Sequence, residues 1–171
     1  MNESLPGLQL FQFSSAEAES LRAEYQLVLK GTDFTYSQQL KEVLSKYKGA
    51  QGIYFWVMTH ESLAYKIYVG KTKSLADRVL NYISEFQPHS PNDYKLRIFQ
   101  TFIVTLMPSA TLDLYFASQD PPNLTHAENQ AISKFGPFLN QLAAPTAEAK
   151  NELKKAFTLY YQATFERKLR T

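Results

Sequence analysis

Within residues 52–82 the apolar pattern switches from a repeat of two residues to a repeat of three and four, and no other stretch limits the fold so closely. Ile53, Phe55 and Val57 alternate with Tyr54, Trp56 and Met58, the period of a pleated strand. Thr59 to Leu63 is polar enough for a turn, and the β-branched and aromatic run Tyr65 to Val69 reads as a return strand. Gly70-Lys71-Thr72-Lys73-Ser74 leaves that strand. A helix is then expected from Leu75 to Phe86, with Ser74 as N-cap and Leu75, Val79, Ile83 and Phe86 as one apolar stripe. Arg78 and Tyr82 are four apart, so they share a flank of that helix.

The rest of the chain supplies further elements. Residues 1–13 read as irregular, with Leu8, Leu10, Phe11 and Phe13 suggesting a docked segment. Ser14-Ser15-Ala16-Glu17 offers a capping box for a helix running to Lys30, burying Leu21, Tyr25, Val28 and Leu29 and stopping at Gly31. A second helix fits Ser37 to Lys48, with Leu40, Val43, Leu44 and Tyr47 on one face. Leu96, Phe99, Phe102, Ile103 and Leu106 recur at helical spacing, and Pro108-Ser109 ends that run. Thr111 to Phe116 reads as a third strand. After a loop at Pro121-Pro122-Asn123, a helix begins at Thr125 and ends near Gly136-Pro137. A long last helix is expected from Thr146 to Leu169. The expected architecture is α+β: a small mixed or antiparallel three-stranded sheet flanked by helices. It divides as an N-terminal helical extension over 1–49, a core domain over 50–143 and a C-terminal helix over 144–171.

Composition narrows the function. A chain of 171 residues with 44% hydrophobic and 20% charged residues is sized for one globular core. It has no cysteine, which removes disulfides, thiolate metal sites and thiol nucleophiles together. No apolar run approaches membrane-spanning length and no leader pattern opens the chain, so a cytoplasmic protein without membrane contact is expected. The net charge of +2 is small, but its distribution is uneven. Residues 41–100 carry nine basic against five acidic side chains, and residues 146–171 carry six against three. Such excesses serve either a solvated face or a phosphate-facing one.

The order of these residues resembles the GIY-YIG nuclease family. Gly52-Ile53-Tyr54 and Tyr68-Val69-Gly70 match its two tripeptides, with Val69 for the usual isoleucine. Gly70 to Arg78 is similar to its glycine, threonine, leucine and arginine pattern, and Tyr82 falls where the family carries histidine or tyrosine. Glu128 in His126-Ala127-Glu128-Asn129-Gln130 resembles its metal-binding glutamate, and Pro137-Phe138-Leu139-Asn140 its closing segment. The likeness covers residues 50–143; the gap between the tripeptides is longer than usual, and Pro121-Pro122 lengthens the approach to Glu128.

What the resemblance implies is a Mg²⁺-dependent DNA endonuclease, with Mn²⁺ as a possible substitute, leaving 5′-phosphate and 3′-hydroxyl ends. Tyr54, Tyr68, Arg78, Tyr82 and Glu128 would form the catalytic set, with Glu128 as metal ligand. Lys71, Lys73 and Asn140 would contact substrate. Physical chemistry sets an alternative beside each role. A strand tyrosine commonly packs with one wet end. With an ordinary pKa near 10, Tyr54 needs a nearby cation to act as a base. Arg78 can hold two phosphate oxygens, or sit in a surface salt bridge. Tyr82 orients the same phosphate or packs at the core edge. Thr125-x-x-Glu128 is itself a capping box, yet a carboxylate on the apolar face of Ala131, Ile132 and Phe135 needs a partner or a metal. Asn140 serves a turn or ties the wall of the site together. Gly70-Lys71-Thr72 is no nucleotide-binding P-loop, because Tyr65 stands where the first glycine is required. His60, His89 and His126 have no ligand spacing.

Two rivals stand beside the nuclease: a catalytically inactive nucleic-acid-binding module of the same fold, and an interaction protein pairing as a homodimer through its terminal helices. Restriction, repair, phage and mobile-element roles all suit a nuclease of this size.

Overall fold

Strand β2 (Gly52–His60) occupies an interior position in the sheet, and its side chains are buried on both faces from Gly52 to Met58. The computed structural model describes residues 8–32, 37–83, 95–96, 99–100 and 107–141. β2 turns into β3 (Leu63–Thr72) through Glu61 and Ser62, both with positive φ (49° and 69°), as a two-residue hairpin turn requires. On its other side β2 pairs with β4 (Thr111–Ser118), which in turn pairs with β1 (Gln26–Thr32). The sheet therefore has four antiparallel strands in the order β1-β4-β2-β3, where the sequence led to an expectation of three.

The added strand comes from the segment expected to be helical. Helix α1 (Ser15–Glu24) starts with the expected capping box, Ser14 and Glu17 each bonded to the other's backbone N–H. It stops at Tyr25, whose backbone is extended (φ −124°, ψ 145°). Leu21, Tyr25 and Val28 have helical spacing, but β4 needs a partner on its outer side, and that pairing outweighs local helix preference. Gly31 does not end a helix. It has φ +67° within β1, and its N–H donates to Asp113 Oδ1 at 2.7 Å.

The two faces of the sheet carry separate cores. Tyr54, Trp56 and Met58 pack with Leu112, Leu114 and Phe116, beneath α2 (Gln38–Ser45) and α3 (Leu75–Ile83), and with Leu96, Phe99 and Leu139. Ile53, Phe55, Val57 and Val69 pack against Leu21 of α1 and Leu124, Ala131 and Phe135 of α4 (Leu124–Phe135). Strict alternation along β2 feeds both. A bulge in β3 opposite Trp56–Val57 shifts the register so that Lys66 pairs with Val57 and lies on the α1 face. There its ammonium holds both oxygens of Glu17, at 2.8 and 3.0 Å.

β3 is an edge strand, and the chain covers that edge twice. Phe13 N–H donates to Ala64 O at 3.0 Å, beside a bridge from Gln12 to Tyr65. The Asn140 side chain accepts from Val69 N–H at 2.8 Å and donates to Val69 O at 2.9 Å. Helix α3 is anchored at its start. Leu75 N–H donates to Ala50 O and Ala76 N–H to Tyr47 O, so the α2–β2 turn satisfies amides that an N-cap side chain would otherwise serve. Ser74 stands at the head of α3 as expected: its carbonyl accepts from Arg78 N–H at 3.1 Å, and its hydroxyl accepts from Gly49 N–H at 3.0 Å. α4 closes on Gly136, left-handed at φ 56°. The expected positions of Phe86, Phe102, Ile103 and Leu106, and the helix from Thr146 to Leu169, lie outside the described residues. No helix among the described residues is long and apolar enough to cross a membrane.

Candidate active site

Both tripeptide glycines answer to close approach. A Cβ on Gly52 would lie 2.1 Å from Ala117 O and 2.8 Å from the Phe116 ring, so only glycine lets β4 pass there. A Cβ on Gly70 would lie 2.4 Å from Tyr54 Cζ and Oη. Gly70 is paired directly with Tyr54 across the hairpin, and the tyrosine ring lies over the space its side chain leaves. The second tripeptide's glycine thus fixes where the first tripeptide's tyrosine points.

That tyrosine is aimed at α3. Arg78 Nε–H donates to Tyr54 Oη at 3.1 Å, and Tyr54 Oη lies 3.1 Å from Tyr82 Oη in a hydrogen bond between the two hydroxyls. One turn separates Arg78 from Tyr82, so the guanidinium also stands over the Tyr82 ring, 4.9 Å from its centroid. Trp56 meets Tyr82 edge-on at 6.1 Å, backing the ring from β2. Tyr68 packs 6.0 Å from Tyr54, centroid to centroid. Burial pushes its phenol well above the ordinary range; Tyr54 and Glu128 add to the rise, and Arg78 opposes it. Tyr68 therefore remains a neutral O–H donor at any physiological pH.

Glu128 approaches from the other face of the sheet. It sits on α4, and Lys71, two residues past Val69 on the same face of β3, brings Nζ to 3.2 Å from Glu128 Oε2. The same Nζ donates to Thr125 Oγ1 at 2.9 Å. Thr125 lies inside α4 and makes no capping box with Glu128; the N-cap is Asn123. The carboxylate is thus held by a lysine rather than spent on the helix start. The arginine and the phenols lie on the α3 side, the lysine and the glutamate on the α4 side, and β3 is the strand between them.

Exposure sorts the group into two layers. Tyr54, Tyr68 and Tyr82 are 1%, 3% and 2% exposed. Arg78 and Glu128 are half-buried, and Lys71 and Lys73 are exposed. Among the described residues, no hydrogen bond or ion pair draws Lys73 into the cluster. Asn140 directs its amide to the backbone of Val69, next to Tyr68, and so ties the short turn Phe138–Gln141 to the β3 edge beside the phenols. Thr125, weighed from sequence only as a cap, proves to be a partner of Lys71; its spacing of three from Glu128 was the available signal.

Among the described residues, no group of three or more His, Cys, Asp or Glu side chains comes together to hold a metal ion. A lone carboxylate does not suit an ion that demands a full set of protein ligands. It does suit Mg²⁺, which keeps several waters and completes its shell with phosphate oxygens. No protein-family model matches the chain, and no curated protein matches it.

Proposed function

We propose that this chain is a DNA endonuclease of the GIY-YIG type that hydrolyses phosphodiester bonds with one divalent ion held at Glu128. The observation that carries this reading is the Arg78–Tyr54–Tyr82 contact, with Tyr68 packed against Tyr54. Arg78 already donates to the Tyr54 oxygen, which holds the phenol beside the guanidinium. Water attacks phosphorus in line, and the P–O3′ bond breaks to leave a 5′-phosphate and a 3′-hydroxyl. Tyr54 orients that water. As it takes the water's proton it hands its own to Tyr82, and Tyr82 hands one on to the departing O3′. Each phenol ends neutral, and the leaving group becomes the 3′-hydroxyl. Arg78 donates to the phosphate oxygens as charge develops on them. Tyr68, held neutral, donates its O–H to the same group. Lys71 and Lys73 meet the backbone of the nucleic acid from the exposed side. Mg²⁺, when bound, supplies Lewis-acid stabilisation of the phosphate and its leaving oxygen.

Supercoiled plasmid in Mg²⁺ is the test. The wild-type protein nicks it, while Arg78→Ala and Glu128→Ala fold normally and do not. Nicking by Glu128→Ala at the wild-type rate would remove the metal assignment. Sequenced cleavage sites then separate the roles: a short palindrome indicates a restriction dimer, and cuts at branches or mismatches indicate repair.

One observation favours a second reading. The three phenols are almost fully covered, as packing residues are. A nucleic-acid-binding module with the same constellation would retard DNA in a gel and leave it uncut whichever divalent metal is supplied.

A further inference from the structure

We propose that Lys71 is the resident cation of the Glu128 carboxylate, holding that site against a divalent ion until an anion draws the lysine away. The inference rests on the reading of Glu128 as metal ligand. Lys71 Nζ lies 3.2 Å from Glu128 Oε2 and donates to Thr125 Oγ1 at 2.9 Å, so two groups of one α4 face grip a lysine of β3. The two partners differ in freedom. The lysine side chain is 40% exposed and ends a flexible stem, whereas the glutamate is 19% exposed and fixed on a helix.

An ammonium at ion-pair distance neutralises the carboxylate and repels a second cation approaching the same two oxygens. Mg²⁺ or Mn²⁺ therefore competes with a group tethered to the protein, at a local concentration no dilution lowers. A phosphodiester arriving on the exposed side offers Lys71 a better-placed anion. Once the lysine turns to it, Glu128 is left charged and open. Phosphate and metal then bind with positive coupling, and by linkage each raises the affinity for the other.

The probe is Mn²⁺ alone, titrated into the DNA-free protein and followed by paramagnetic broadening of the amide signals of α4 and β3. Wild-type protein and Lys71→Arg, which keeps the charge, bind weakly. Lys71→Met binds Mn²⁺ about tenfold more tightly, since the tethered competitor is gone. Glu128→Gln abolishes the broadening in either background. Equal Mn²⁺ affinity in wild-type and Lys71→Met, with Glu128→Gln still silent, overturns the inference and leaves the metal reading standing. Broadening that survives Glu128→Gln, or none in any variant, overturns both.

Discussion

Arg78 touches two tyrosines at once, and much of the site depends on what that guanidinium can reach. Lysine in its place keeps the charge but loses the planar fork and the contact along Nε. Arg78→Lys should therefore lose cleavage by about a hundredfold or more, in line with removal of a donor to developing charge, while circular dichroism stays unchanged. Gly70→Ala tests the geometry from below. A methyl 2.4 Å from the Tyr54 ring forces that ring off its position. Overpacking of this kind costs about 1–3 kcal/mol, so Gly70→Ala should melt several degrees lower and fail to cleave even where it is folded. Unaltered activity in that variant would show that the position of Tyr54 is immaterial. Most of these residues were legible in the sequence because two tripeptides and an Arg78–Tyr82 spacing name them. Thr125 was not, because its partner is a lysine far away in the chain, and only the fold brings the two together.

At the scale of elements, the hairpin, α3, β4 and α4 followed from period and punctuation. β1 did not. Its apolar residues fit a helix as well as a strand, and the choice was made by the unpaired side of β4. The bulge in β3 was equally silent in sequence, although it decides that Lys66 reaches Glu17. Lys66 is 9% exposed at its side chain, so removing its partner strands a buried ammonium. Glu17→Gln should cost about 2–3 kcal/mol in urea unfolding, and Glu17→Gln with Lys66→Met should recover most of that loss. The hairpin offers the reverse case. Ser62 sits at φ 69°, where glycine carries no Cβ penalty. Ser62→Gly should raise stability by about 0.5–1 kcal/mol, read as a higher melting temperature with activity unchanged.

Across the whole molecule, stability should depend on pH at both ends. Burial raises the Glu17 carboxyl, but the Lys66 contact and the Ser14 N–H outweigh it and bring the pKa below its ordinary 4.5. A carboxyl depressed in the folded state stabilises above its unfolded pKa, and that contribution is lost as pH falls through the folded value. At the alkaline end, burial and then the neighbouring Glu24 push the Tyr25 phenol up to about 12. Its contribution is intact below the ordinary 10 and is lost as pH rises between 10 and about 12. Melting curves across pH should show the acid arm shift in Glu17→Gln and the alkaline arm flatten in Tyr25→Phe.

The claim beneath all of this is that Arg78 and Tyr54 act as one unit on a scissile phosphate. Single-turnover cleavage of plasmid DNA in Mg²⁺ by wild type, Tyr54→Phe, Arg78→Ala and the double variant measures that directly. Groups acting together give a double variant hardly slower than the worse single one, and that is the expected result. Losses that multiply, or a wild-type protein that leaves the plasmid intact, would contradict it.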